Sequence, residues 1–232
     1  MLVCSNCEQF QNTEWRCLTT AETAELNQHR SFNFYTAGTI LFHQGNPSHG
    51  IYCVNEGTIA LRHTEASGAS IILRLVESGQ TLGCSVYFEQ TVHTATAVAL
   101  TDCRICFVDK NTLRKLLKEN RELPQEFLKM MAKRLHNSQK SRAMLTSDSV
   151  RQRLAHVLID LKDRHGNVDT DGNIIIDLPM QRQDLAALLG TRPETLSRAI
   201  HALSTEKVVQ FSGRKAIVRD LDELLDEVEV TV

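Results

Sequence analysis

Glu194, Ser197 and Arg198 recur at a spacing that places all three near the start of one short helix, on its solvated side. Arg reads guanine through O6 and N7, Glu accepts from cytosine N4, and Ser serves base or phosphate, so this row is a candidate reader of duplex DNA. Thr191, Arg192 and Arg182 lie beside it as further candidate contacts, and Lys215, with Lys207 and Arg214, follows downstream where phosphates would be met. A second chemical set is sulfur. Of seven cysteines, Cys4, Cys7 and Cys17 crowd the N-terminus. In a reducing compartment such thiols point to metal, redox or packing roles rather than to a disulfide framework.

The elements around the first set predict how it is held. Leu185, Leu188 and Leu189 give an apolar face to one helix, which Gly190 ends with a left-handed backbone. Thr191 is positioned to cap the next helix, whose Leu196, Ile200 and Leu203 recur at helical spacing. Val208, Val209 and Phe211, then Ser212-Gly213, then Ala216, Ile217 and Val218 predict two short strands around a turn, a basic wing. A helix-turn-helix followed by such a wing is a signature of duplex-DNA binding.

Upstream, residues 1–20 form a cysteine-bearing leader and residues 20–29 a short helix. From Asn33 to Val108, short alternating strands punctuated by glycine imply an antiparallel barrel or jelly roll. Asn111–Leu145 is helical, with an apolar stripe of Phe127, Met131 and Leu135, flanked by Leu128 and Ala132, at the spacing a dimer seam uses. Ser147–Arg164 reads as another amphipathic helix, followed by a polar turn at 166–172 and a strand at 174–178. The expected fold is α+β, in the order leader (1–20), β-barrel (21–110), helical region with a dimerisation helix (111–146) and winged helix-turn-helix (147–232).

At 232 residues, with 42% hydrophobic and 23% charged content, the chain reads as a soluble protein of two domains. Its net charge of −2 hides an asymmetry: seven Lys and Arg against one acid from Lys129 to Arg153, then six acids and no base from Asp220 onward. No apolar run reaches the ~18 residues of a membrane span, and no secretory signal is visible, so a cytoplasmic protein is expected. Asp, His and Ser show no paired spacing, which gives an enzyme reading no support. A ligand-binding module of a signalling system and an electron carrier are the competing classes.

Ala37–Gly45, Ile51–Gly57, Leu75–Gly83 and Leu189–Arg198 together resemble the Crp/Fnr (cyclic AMP receptor protein / fumarate-nitrate reduction regulator) family of bacterial transcription factors. The resemblance implies a cyclic-nucleotide-binding-like barrel, a long dimerisation helix and a winged helix-turn-helix, with RNA polymerase as a partner. In the cyclic-nucleotide branch a Glu accepts from ribose and an Arg-Ser pair holds the phosphate. Here those positions align with Gly83-Cys84 and His93-Thr94, so cyclic AMP is not the expected ligand. Glu194-x-x-Ser197-Arg198 looks like the fumarate-nitrate reduction branch, which implies a homodimer on a palindrome near TTGAT-N4-ATCAA.

That branch carries a 4Fe-4S iron–sulfur cluster. The resemblance places its ligands at Cys4, Cys7, Cys17 and, through the stretch Ile105–Leu113, at Cys106. The gap between Cys7 and Cys17 is longer than the family's usual spacing. Zinc, a thiol–disulfide sensor, haem and no metal at all remain as alternatives, and His43, His49, His63 and His93 show no ligand spacing. Cys103 is a competitor for the role of Cys106, and Cys53 is expected to be packing.

Overall fold

The computed structural model describes Cys7 and residues 9–229. It divides into two compact units, Met1–Asn137 and Ser138–Val232, and the division falls inside one long helix, ahead of the boundary near 146 read from the sequence.

In the first unit, 3-10 turns at Phe10–Asn12 and Glu14–Cys17 lead into α1 (Thr20–His29), which opens on a Thr19/Glu22 capping box. The strands are β1 (Arg30–Tyr35), β2 (Ile40–Phe42), β3 (Gly50–Glu56), β4 (Thr58–Thr64), β5 (Ser70–Glu77), β6 (Thr81–Leu82), β7 (Thr96–Ala99) and β8 (Cys103–Asp109), with the short α2 (Cys84–Glu89) between β6 and β7. They form two antiparallel sheets, β1-β8-β3-β6 and β2-β7-β4-β5. Alternation along β3 and β8 decides the layering, because successive side chains point to opposite faces. Val54, Cys103 and Ile105 join Phe42, Ile59 and Val76 in one apolar core. Ile51 and Val108 point the other way, into a second core with Trp15, Leu26, Leu113, Leu116, Leu123 and Phe127. The first sheet is therefore covered on both faces, and the leader is part of its outer cover.

α3 (Lys110–Glu119) starts on Asp109, whose carboxylate accepts from the N–H groups of Asn111 and Thr112 at 2.8 and 3.1 Å. Asn120 then joins three segments. Its amide nitrogen donates to the Cys17 carbonyl (3.2 Å) and to Glu22 (2.8 Å), and its oxygen accepts from the N–H groups of Glu122 and Leu123 (2.9 Å each), at the start of α4 (Leu123–Ser147).

α4 corrects one expectation. Phe127, the first member of the proposed dimer stripe, is buried in its own unit. Its ring meets Trp15 edge-on with centroids 5.6 Å apart, and lies 5.8 Å from Phe88. Met131 is partly buried against the same core, whereas Leu128 and Leu135 are 70% and 62% exposed.

The second unit contains α5 (Val150–His165), β9 (Gly166–Val168), β10 (Ile174–Asp177), α6 (Arg182–Leu188), α7 (Pro193–Thr205), β11 (Val209–Ser212), β12 (Lys215–Val218) and α8 (Leu221–Glu229). The strands pair antiparallel in the order β11-β12-β10-β9. Leu154, Leu158, Ile176, Leu185, Leu203, Val209, Ala216 and Leu224 are buried in this unit. Arg151 on α5 reaches both Glu206, just past α7, and Glu227 on α8, with bonds of 2.8 Å to each.

Candidate nucleic-acid interface and thiol cavity

The expected helix-turn-helix is α6 and α7. Gly190 adopts φ +61°, its N–H donates to the Ala187 carbonyl (3.4 Å), and the Thr191 N–H donates to the Ala186 carbonyl (3.0 Å). This is a Schellman ending, in which a left-handed glycine lets the chain fold back to satisfy the last carbonyls. Thr191 is spent there. The residue capping α7 is Arg192, without a side-chain cap bond, and Pro193 occupies the first turn where its missing N–H costs nothing.

Along α7, Leu196, Ala199, Ile200 and Leu203 are buried, which turns Glu194, Ser197 and Arg198 outward; all three are exposed. Arg182 and Arg192 are exposed as well, and Thr191 is half-buried. β11 and β12 form the wing, turning at Gly213 with φ +58°. Lys215 is exposed at the start of β12, cross-strand from Asp177, with which it makes a 3.6 Å ion pair. Such an exposed pair is weak, so Lys215 stays available to a phosphate.

The cysteines separate by face. Cys103 is buried between the two sheets, where its thiol donates to the Thr58 and Thr101 carbonyls. It is on the opposite face of β8 from Cys106 and does not compete with it. Cys106, Cys53 and Cys7 line one cavity, walled also by Trp15, Arg30 and Asn55. Arg30 Nη1 donates to Cys106 Sγ and Trp15 Nε1 to Cys53 Sγ, each at 3.1 Å, while Cys7 Sγ donates to Asn55 Oδ1 at 2.6 Å. Burial pushes the Cys106 thiol up, with the adjacent Arg30 guanidinium opposing, and pushes the Cys53 thiol up strongly.

Of the four expected cluster ligands, Cys7 and Cys106 thus meet. Cys17 is not part of the cavity wall; it packs against the second core and its thiol donates to the Glu14 carbonyl at 3.4 Å. Cys4 lies outside the described residues. Among the described residues no group of three His, Cys, Asp or Glu side chains is arranged to hold a metal ion. Cys53, read from sequence as packing, does pack against the second core, and it is also the third thiol of the cavity, a place that no local signal marks.

Where a cyclic-nucleotide site would have its acidic partner, Cys84 is fully buried at the start of α2, its thiol pushed up to about 12 by burial. His93 is buried and stacked on Phe42, with centroids 3.7 Å apart and planes at 15°. Two cations missed from sequence lie near Cys84. Arg134 of α4 donates to the Thr81 carbonyl and hydrogen-bonds Cys84, and Arg74 of β5 is drawn down to about 10 by burial and by Arg134.

This architecture matches known proteins in two parts. Residues 32–120 match the cyclic nucleotide-binding domain and residues 152–227 the Crp-like helix-turn-helix domain. The chain belongs to the Crp/Fnr family, as a transcription regulator with a C-terminal DNA-binding domain. It is 28% identical to the cyclic AMP receptor protein of Thermus thermophilus, over 84% of this chain and 86% of that one. It is 24% identical to the transcriptional activator protein FnrL of Cereibacter sphaeroides, over 97% and 87%. The solved structure of FixK2 from Bradyrhizobium japonicum superposes with a TM-score of 0.74 at 23% identity, covering 85% of this chain and 96% of that one. Among the described residues no helix is long and apolar enough to cross a membrane.

Proposed function

We propose that the chain is a cytoplasmic, homodimeric, sequence-specific DNA-binding regulator, close to the fumarate-nitrate reduction branch, which responds to a redox signal at the thiols between its leader and barrel. The exposed row Glu194, Ser197 and Arg198 above a buried apolar stripe carries the DNA-binding part. These three side chains read bases in a palindrome near TTGAT-N4-ATCAA, while Arg182, Thr191, Arg192 and Lys215 hold the backbone. Two copies pair through the exposed side of α4, at Leu128 and Leu135 with Met131 at its margin. RNA polymerase is the downstream partner. An electrophoretic shift with the palindrome and a scrambled duplex, using reduced and oxidised protein, tests the reading. Equal affinity for both duplexes refutes the base-reading row, and identical binding by reduced and oxidised protein refutes the redox part.

A 4Fe-4S cluster on Cys4, Cys7, Cys17 and Cys106 is the second reading, favoured by the meeting of Cys7 and Cys106 at one cavity. It requires Cys17 to leave its packing. Iron and acid-labile sulfide in protein purified without oxygen decide between cluster and thiols.

A further inference from the structure

β3 and β8 run antiparallel in regular register from Gly50 to Val54, and in that register Cys53 stands directly opposite Cys106. Directly opposed residues of an antiparallel pair point to the same face, with Cα atoms about 4.5 or 5.5 Å apart according to the hydrogen-bonding pattern. Both separations fall within the ~4.4–6.8 Å that a disulfide spans. The register therefore puts the two cysteines at a backbone separation that a disulfide can bridge. Both are free thiols on the wall of the same cavity. That cavity leaves about 40 Å³ for the centres of water-sized molecules. One such molecule needs ~10–15 Å³, so hydrogen peroxide, little larger than water, fits.

The other thiols are less well placed to compete. Cys103 faces the inter-sheet core, Cys17 donates to the Glu14 carbonyl away from the cavity wall, and Cys7, although it lines the cavity, belongs to no strand that would hold it opposite either thiol.

We infer that Cys53 and Cys106 form a peroxide-responsive cross-strand dithiol that closes reversibly to a disulfide inside the sensor unit. One thiol gives up its proton as its sulfur attacks a peroxide oxygen; the O–O bond breaks and the leaving hydroxide takes that proton to become water, so that the attacking cysteine becomes a sulfenic acid. The opposed sulfur then attacks that sulfenic sulfur, the S–S bond forms, and the displaced hydroxide leaves as a second water with the thiol proton. Peroxide is reduced and the two thiols are oxidised. A small dithiol reverses the change.

The chain carries its own reporter. Trp15 is its sole tryptophan, and its indole N–H donates to Cys53 Sγ. Closing the disulfide reorganises the acceptor of that bond.

This inference rests on the thiol-based redox reading and is tested apart from it. The full chain, reduced and free of oxygen, is treated with hydrogen peroxide and examined by non-reducing peptide mapping and Trp15 fluorescence. The expected result is a cross-linked peptide pair containing Cys53 and Cys106, lighter than the separate peptides by two hydrogens. A loss of Trp15 emission that dithiothreitol restores accompanies it. Cys106→Ser and Cys53→Ser abolish both signals, and Cys7→Ser and Cys84→Ser keep both. The wild-type map needs no variant, so a misfolding substitution leaves the test intact. A disulfide joining any other pair, oxidation that stops at Cys7, or two thiols that survive peroxide overturns the inference. If the Cys53–Cys106 bond forms while DNA binding is unchanged, the dithiol stands and the redox regulation of DNA binding falls.

Discussion

Phe127 and Leu128 are neighbours on α4 with opposite surroundings, and replacing each separates the work of the helix within its own unit from its work toward a second copy. Phe127 is 1% exposed and lies edge-on to Trp15. Truncating a buried Phe to Ala costs about 3–5 kcal/mol, and an aromatic pair adds ~0.5–1.5 kcal/mol beyond its buried area. Phe88, the other ring partner, is itself 44% exposed and contributes less. Phe127→Ala is therefore expected to destabilise the sensor unit by about 4 kcal/mol, a large share of the ~5–15 kcal/mol a domain holds. Its melting temperature should drop by roughly 15 °C. Leu128→Glu places a charge on the exposed side of the same turn and is expected to change the stability of the isolated fold by less than ~0.5 kcal/mol, yet to dissociate the proposed dimer. Urea unfolding followed by Trp15 emission reads the first effect, and sedimentation equilibrium reads the second. A urea midpoint unchanged in Phe127→Ala while the copies separate, or a proposed dimer left intact by Leu128→Glu, refutes this division of α4 into an inward and an outward face.

Arg198→Ala is expected to lose about 1–3 kcal/mol of discrimination per half-site, measured as the ratio of palindrome to random-DNA affinity by fluorescence anisotropy. Lys215→Ala should weaken both duplexes alike and make the slope of log K against log salt shallower by about one for each phosphate no longer neutralised; a selective effect on the palindrome refutes the wing assignment. Cyclic AMP should give no binding heat in calorimetry, because the buried Cys84 thiol stays neutral and His93 is committed to its stack on Phe42; micromolar affinity contradicts this account. Burial, with His49 and Lys110 nearby, holds His93 below the usual 6.5, so the fold favours its neutral form. That stability is complete above 6.5 and declines as pH falls from 6.5 through the lower folded value. His93→Phe should flatten this acid-side decline in urea unfolding followed by Trp15, which reports the sensor unit apart from His156 and His165; an unchanged profile assigns the titration elsewhere.

The DNA-facing half was readable because its signals are local. Leu196, Ile200 and Leu203 repeat at helical spacing, and Gly190 and Gly213 mark turns within a few residues of the elements they end. α4 was readable as a helix, but not by face, since Phe127 and Leu128 are equally apolar and only the position of Trp15 tells them apart. α8 carries its own apolar pattern in Leu221, Leu224, Leu225 and Val228, set among the acids that dominate this end of the chain. Facing of Cys103 and Cys106 follows from period two along one strand. The alignment of Cys53 with Cys106 does not, because it depends on the register between strands far apart in sequence. The same holds for Arg74 and Arg134, brought near Cys84 from a strand and a helix.

Asn120 carries a dynamic consequence. One side chain serves the Cys17 carbonyl, Glu22 and the first free N–H groups of α4. A leader that lifts away takes the Cys17 carbonyl from the amide nitrogen of buried Asn120 and leaves Glu22 as its one acceptor, and an amide that rotates away from Glu122 and Leu123 uncaps the helix. Opening one therefore raises the cost of keeping the other. The backbone amides of Leu18, Leu123 and Phe127 should exchange their hydrogens for deuterium with a shared opening free energy, as a single cooperative foldon that begins in the leader and ends inside the long helix.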